Sequence, residues 1–196
     1  ASPPDRLTEA WRHLVPRQIG WTRQAGDAAT LPQLIVRDDR SLLYRFKPQM
    51  AASQVFEKIG GGPGYIWGFG VGHVDYVVPA RTDRRRVGQM IVRAHIQPVL
   101  PIDAKPDWIR TRVTLFVNGA NLGSRLVAVE PKGQPAIQEW RIDGFLTRLR
   151  AMRGLPITIR FAVTPDADWP YGVNISNWPE GYESHDAKPV EVEIRR

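Results

Sequence analysis

Arg112-Val113-Thr114-Leu115-Phe116-Val117-Asn118-Gly119 is the stretch that decides the fold class. Val, Leu and Val recur in it at every second position, which is the period of a β-strand with one buried and one solvent-facing side. Asn118-Gly119 then offers the positive φ angles that a two-residue hairpin turn requires. Residues 122–127 follow as a return strand. The stretch therefore predicts an antiparallel β-hairpin.

The same two-residue period recurs along the chain outside this hairpin. It is present in residues 42–46, 74–78, 90–97, 157–163 and 190–195. Segments rich in Pro, Gly, Asp and Asn separate these stretches, as turns and loops do. One interior stretch, from Asp143 to Gly154, has helical spacing instead, with Asp143 as its cap. We therefore expect an all-β fold, an antiparallel β-sandwich or jelly roll with one or two short helices.

The chain of 196 residues is long enough for one domain with a sizeable core, and no internal repeat or linker divides it. Its first part differs from the rest. Trp11 and Leu14 share one face of a short predicted helix that ends at Pro16. We predict a single β-sandwich domain over residues 1–196, with residues 1–32 as an N-terminal helix-and-loop extension.

The order of these pieces in the second half resembles the galactose-binding-like jelly roll, the superfamily to which many carbohydrate-binding modules belong. There, a strand ends in a Val-Asn-Gly turn, as at Val117-Asn118-Gly119, and a Gly-containing return strand follows. A strand leading to an Asp-initiated turn comes next, as in Trp140-Arg141-Ile142-Asp143, and then a strand like residues 157–163. The resemblance covers roughly residues 85–180. It implies the fold and leaves the ligand open.

Residues 166–182 form the most unusual segment, because four large aromatic residues lie there among carboxylates, amides and prolines. Aromatic rings can stack on the C–H face of a sugar, while Asp and Asn side chains bind its hydroxyls. The alternative is that the tryptophans close the end of the sandwich as core residues. The residues to which we assign ligand binding are Asp168, Trp169, Tyr171, Asn174, Asn177 and Trp178.

Residues 60–72 form a second aromatic segment, in which Trp67, Phe69 and Val71 alternate with glycine. The alternation indicates a strand whose glycines let another backbone or a ligand approach. Core packing of these side chains is the favoured interpretation, and exposure of Tyr65 or Trp67 is the alternative. The segment lacks the ending of a phosphate-binding P-loop.

Several kinds of catalytic site are excluded by composition. The chain has no cysteine, which removes disulfides and thiol chemistry. It has no G-x-S-x-G motif, and its four histidines lack metal-site spacing. His73 and Asp75 share a strand face, where a cross-strand or surface pair is favoured over acid–base chemistry. We expect no cofactor and leave a structural calcium ion open.

The formal charge is +7, and most of the 27 basic residues are arginine. These arginines are spread singly along predicted strands, apart from Arg81 and residues 84–86. Solvated strand faces are the favoured interpretation. Nucleic acid is not expected as a partner, because no stacking aromatics are interleaved with the arginine cluster.

Together these patterns predict a non-catalytic carbohydrate-binding domain whose partner is an oligo- or polysaccharide. We expect it to be extracytoplasmic and bacterial, in an envelope or polysaccharide-processing protein, beside an adjoining membrane or catalytic domain such as that of a membrane glycosyltransferase. One alternative is a glycan-active enzyme that uses carboxylates of the loop 166–180. The other is a structural or assembly module whose aromatic residues bind a protein partner.

Overall fold

The computed structural model describes residues 31–37, 39, 41–62, 64–80, 88–99, 109–128, 136–143, 155–165, 171–176 and 190–195. Within these ranges the regular structure is β, apart from one short 3-10 turn at Pro48–Met50. The strands are β1 (Gln33–Val36), β2 (Leu42–Phe46), β3 (Ser53–Val55), β4 (Lys58–Gly62), β5 (Tyr65–Phe69), β6 (Gly72–Val78), β7 (Gln89–Pro98), β8 (Arg110–Val117), β9 (Ala120–Ala128), β10 (Ala136–Asp143), β11 (Ile157–Val163), β12 (Val173–Ser176) and β13 (Val190–Arg195).

The strands form two antiparallel sheets. The large sheet has the order β1-β2-β13-β7-β12-β5-β4, with β10 paired to the other side of β7. The small sheet has the order β3-β6-β11-β8-β9. The two sheets enclose one hydrophobic core, so the predicted all-β sandwich is confirmed. Within the described ranges the structure contains no helix of the length and apolarity needed to cross a bilayer.

Aromatic side chains join the two sheets in the core. Trp140 of the large sheet packs against Phe161 of the small sheet, with their ring centroids 5.6 Å apart. Phe46 and Tyr76 make a second inter-sheet contact at 5.5 Å, in an edge-on arrangement that aromatic rings favour. The Trp140 indole also donates a hydrogen bond to the Gly123 carbonyl at 3.3 Å. Trp140 is therefore a core residue.

The predicted hairpin is present as β8 and β9. Val117 pairs with Ala120, and the two residues between them both have positive φ, 47° at Asn118 and 82° at Gly119. The Asn118 side chain also accepts a hydrogen bond from the backbone N–H of Thr158 at 2.8 Å. The turn is thus held to the neighbouring strand β11 as well as closing the hairpin.

Strands β12 and β13 lie on the same side of β7, one after the other. Ile175 pairs with Ile96 and Glu191 pairs with Arg93, so the two pairs are only three residues apart along β7. β12 and β13 therefore pair with consecutive lengths of β7. Residues 173–176 of the aromatic segment 166–182 therefore lie inside the large sheet.

Three expectations from sequence are corrected here. Residues 60–62, a glycine run typical of turns, belong to β4, and residues 173–176, expected in the loop 166–180, form β12. Leu43 and Ile91, expected on a wet face, are buried. Their neighbours on the outer face are long arginines, whose hydrocarbon stems can shield apolar side chains. The predicted helices near residues 4–16 and 143–154 lie outside the described residues, except that Asp143 ends strand β10.

Candidate functional site

The outer side of strand β5 carries three aromatic rings. Ile66 is buried in the core, and the ring of Phe56 lies so close to Gly68 that a Cβ there would meet it at 2.0 Å. Because side chains alternate along a strand, Tyr65, Trp67 and Phe69 share the opposite face, which looks away from the core. Tyr65 is 39% exposed, and the other two rings are half-buried. The favoured prediction of core packing for Trp67 and Phe69 is therefore wrong.

Glycines in the neighbouring strand β4 make room for two of these rings. Gly60 is the register partner of Trp67, and a Cβ on it would lie 2.6 Å from the indole. Gly62 is the partner of Tyr65, and a Cβ there would lie 2.7 Å from the phenol ring. Both rings therefore pack on backbone that carries no side chain, and the glycines of β4 make room for them.

Amide side chains adjoin the rings on the other side of β5. Asn174 of β12 is the register partner of both Trp67 and Gln97 of β7, so the three side chains form one row on the outer face. Asn174 is half-buried, and its Oδ1 is buried and accepts no hydrogen bond from the described residues. We call the surface formed by Tyr65, Trp67, Phe69, Asn174 and Gln97 the aromatic face.

Side-chain amides hold the strands of the aromatic face at their backbones. The Gln54 amide reaches from the small sheet and donates a 2.6 Å hydrogen bond to the Trp67 carbonyl. The Gln49 amide does the same for the Gly62 carbonyl at 2.7 Å. A binding surface on strands anchored in this way is preorganised, because its rings keep their positions without further ordering.

The predicted ligand-binding residues fall into two groups. Asn174 is in the aromatic face, and Tyr171 is half-buried just ahead of β12. The other four, Asp168, Trp169, Asn177 and Trp178, lie outside the described residues. The structure therefore brings Asn174 beside Trp67, a neighbour that the sequence segment 166–182 does not contain. The alternation of glycine and aromatic residues at 65–69 was the signal for it.

A cluster of arginines and carboxylates occupies the other half of the same outer face. Arg93 lies at its centre and contacts Glu139 at 2.6 Å, Glu193 at 2.9 Å and Glu191 at 3.8 Å. Four further arginines each bind one of these carboxylates from outside. They are Arg37 and Arg195 on Glu193, Arg45 on Glu191 and Arg141 on Glu139. We call these four residues the arginine rim.

Charge stabilisation in this cluster is visible at Glu193, whose side chain is fully buried. Burial raises the pKa of Glu193, but hydrogen bonds from Arg195 and Arg93 outweigh it and leave the pKa below its usual value. The pKa of Glu139 is also lowered, by hydrogen bonds from Arg141 and Arg93. Glu193 and Glu139 therefore stay ionised at neutral pH.

A separate polar cluster lies on the outer face of the small sheet. Arg160 binds both oxygens of Asp75, at 2.7 and 2.8 Å, and the Ser53 hydroxyl donates to Asp75 at 2.8 Å. His73 lies 3.8 Å from the same carboxylate, and burial lowers its pKa to about 4. Arg160 of β11 is the register partner of Asp75 and occupies its carboxylate, so the cross-strand ion pair is Asp75–Arg160, with His73 two residues away along β6. Within the described part of the chain, no three His, Asp or Glu side chains converge on a metal position.

Comparison with known proteins gives similarity in fold only. The sequence matches no protein-family model, and no curated protein sequence matches it. Among solved structures, the chain is similar to the CBM36-1 domain of a multidomain xylanase from the hindgut metagenome of Trinervitermes trinervoides. The identity is 14% and the TM-score 0.42, over 80% of this chain and 97% of that one.

Two further similar structures are also carbohydrate-binding modules. A family 35 module from Clostridium thermocellum has 13% identity and a TM-score of 0.38, over 83% of this chain and 96% of the module. A CBM36 module in complex with calcium and xylotriose has 13% identity and a TM-score of 0.34, over 70% of this chain and 92% of the module. The similar structures thus include carbohydrate-binding modules, the group of proteins indicated by the resemblance over residues 85–180. With every TM-score below 0.5, we take the fold from the strand pairing above and no activity from these similarities.

Proposed function

We propose that the protein is a carbohydrate-binding domain and that the aromatic face binds its ligand. The observation that carries the proposal is the row of outward rings on β5 beside the amides of Asn174 and Gln97. Aromatic side chains on the outer face of a sheet, rather than in the core, are typical of a surface that binds a partner. Sugars combine an apolar C–H face with hydroxyl groups, and this surface offers partners for both.

Stacking and hydrogen bonding would both contribute to ligand binding at this site. The Trp67 ring, held over Gly60, would stack on the C–H face of one sugar unit. Gln97 and the accessible part of the Asn174 side chain would bind hydroxyls of the same unit, because they share its row on the sheet. Tyr65 and Phe69 lie two residues to either side along β5, about 7 Å from Trp67, and would contact neighbouring units.

The segment 166–182 extends the proposal beyond the described residues. Asp168, Trp169 and Tyr171 precede β12 in sequence, and Asn177 and Trp178 follow it directly. Ser176, the last residue of β12, pairs with Tyr65 of the aromatic face. We propose these five residues as further ligand contacts. We also propose an extracytoplasmic location in a bacterial envelope or polysaccharide-processing protein, next to a membrane or catalytic domain.

Isothermal titration calorimetry against a panel of oligosaccharides tests the proposal, with xylotriose and calcium ions included in the panel. Trp67→Ala should weaken binding of the best ligand by about tenfold or more, which corresponds to about 1.4 kcal/mol. Phe116→Ala is the matched control, because Phe116 is a half-buried ring on the outer face of the small sheet. It should leave the affinity unchanged.

Two outcomes would count against the proposal. If folded Trp67→Ala binds every glycan as the wild type does, the aromatic face is not the site. If the wild type releases reducing ends from a glycan that it binds, and Asp168→Asn stops the release, the chain is instead a glycan-active enzyme that uses carboxylates of the loop 166–180.

A further inference from the structure

The arginine rim is more exposed than the carboxylates that hold it. The side chains of its four members are between 40% and 65% exposed. Their partners Glu193, Glu191 and Glu139 are 0%, 19% and 31% exposed. Five arginines and three glutamates make up the cluster, and its negative charges lie underneath. The face that solvent meets is therefore positive.

Three arginines of the rim are held in a way that leaves donors available. Arg45, Arg141 and Arg195 each bind their carboxylate through Nε, at 2.9, 2.6 and 2.7 Å. Among the described residues, no acceptor binds the two terminal amino groups of these guanidiniums. A guanidinium presents five N–H donors in a fixed plane and suits carboxylate, sulfate or phosphate groups. Since a carboxylate already holds each guanidinium in place, little side-chain entropy remains to be lost when an anion binds.

The rim and the aromatic face belong to one surface. Strand β7 runs beneath both, because its Gln97 pairs with Asn174 of the aromatic face and its Arg93 pairs with Glu191 of the cluster. The two β7 residues are four positions apart, so they lie about 13 Å from each other on the same side of the sheet. One extended sugar chain could cover both halves.

We infer that the ligand of this surface is an acidic polysaccharide. Its sugar rings would stack on the aromatic face, and its carboxylate or sulfate groups would bind Arg45, Arg141 and Arg195. The inference rests on the proposed function, because the aromatic face supplies the evidence that the ligand is a glycan. The rim adds the chemical class, which is anionic rather than neutral.

The structure allows the rim to be tested without breaking the fold. Arg93 contacts all three carboxylates, so Arg45→Gln/Arg195→Gln leaves neither Glu191 nor Glu193 without a cation. Arg110→Gln/Arg112→Gln is the matched control. It removes the same charge from two exposed arginines of the small sheet.

Binding is measured by calorimetry for polygalacturonate, for the same polymer after reduction of its carboxyl groups, and for dextran sulfate. We expect the wild type to prefer an anionic polymer over the reduced one by about tenfold or more. The rim variant should lose that preference, and the control variant should keep it. A preference for polygalacturonate identifies carboxylate, and one for dextran sulfate identifies sulfate.

Each failure has its own signature. If the reduced polymer binds as tightly as the acidic one and Trp67→Ala weakens both, the proposed function stands and the acidic ligand is wrong. If the rim variant loses binding while Trp67→Ala loses none, the aromatic face is wrong and the rim is an anion site alone. An equal loss in the control variant, or equally tight rim-dependent binding of single-stranded DNA, overturns the inference in favour of general attraction to polyanions.

Discussion

The indole ring of Trp67 lies over the backbone of Gly60, its register partner in strand β4. A Cβ on Gly60 would come within 2.7 Å of three atoms of the ring. Trp67, the middle one of the three aromatic residues on β5, therefore packs where Gly60 has no side chain. This relationship can be tested without touching the ring itself.

Gly60→Ala should displace the Trp67 indole and weaken glycan binding nearly as much as Trp67→Ala does. Alanine is otherwise the better strand residue at this position, by about 0.5–1 kcal/mol, because it has less backbone freedom to lose on folding. In a Trp67→Ala background, Gly60→Ala should therefore leave binding unchanged and stabilise the fold slightly. Calorimetry and urea unfolding of the single and double variants measure both effects. Additive effects on binding would show that the two residues act independently.

Gly172→Ala should strongly destabilise the fold at the start of β12. Gly172 has a φ of 90°, and a Cβ there would lie 1.9 Å from the Gly68 carbonyl oxygen. Gly119 offers the comparison, since it has a φ of 82° with nothing within 4 Å of its Cβ position. Gly119→Ala should cost about 1–2 kcal/mol of unfolding free energy, for the left-handed backbone alone. Gly172→Ala should cost at least about 2 kcal/mol more, because backbone atoms must move. Equal losses in urea unfolding would mean that the close approach to Gly68 relaxes freely.

Glu193→Gln should destabilise the protein by about 1–3 kcal/mol, because it removes the charge that three partly exposed guanidiniums bind. Glu191→Gln, at a more exposed position of the same strand, should cost less. The pKa of Glu193 is lowered in the folded protein, so its contribution is present above the unfolded pKa and is lost as pH falls through the folded value. The wild type should therefore lose stability below about pH 4.5, and Glu193→Gln should lose less there. Parallel acid unfolding curves for the two proteins would contradict the prediction that ionised Glu193 stabilises the fold.

His73 should make stability depend on pH in a higher window. Burial lowers its pKa from 6.5 to about 4, while the unfolded chain protonates it near its ordinary value. The unfolded state therefore gains protons first, and the folded protein should lose up to about 3 kcal/mol as pH falls from about 7 to about 4. Asp75 opposes this shift and Arg160 adds to it. Urea unfolding at several pH values should show a flatter profile for His73→Gln than for the wild type between about pH 6.5 and 4.5. A profile unchanged by the substitution would assign that dependence to another group.

Much of the fold could be predicted because its signals are local. The strands at residues 90–97, 157–163 and 190–195 follow directly from two-residue alternation, and each lies within a strand of the structure. Strand β12 was missed because Val173-Asn174-Ile175-Ser176 is short and lies among the prolines and glycines of segment 166–182. Pairing with β5 and β7 stabilises this strand, although its own sequence does not indicate one.

The candidate site was harder to predict, because its residues come from separate parts of the chain. Asn174 was chosen for its own chemistry, and the structure adds Trp67 and Gln97 as its register partners. For the aromatic residues of β5, the sequence pattern favours core packing, whereas the structure places them on the outer face. Alternation predicts that strand β5 has two different faces, but only packing decides which face contacts the other sheet.

The sequence by itself determined the local features of this protein: its strands, the Asn118-Gly119 turn and a chemistry of aromatic rings, amides and arginines. Those features depend on residues within a few positions of one another. The tertiary structure alone decided which face of β5 points outward and that Arg37 meets Glu193, 156 positions away in the chain. Strand register is set by distant contacts, and a shift of one residue would move every side chain to the other face. Which residues meet at the surface is therefore settled only when the sheets assemble.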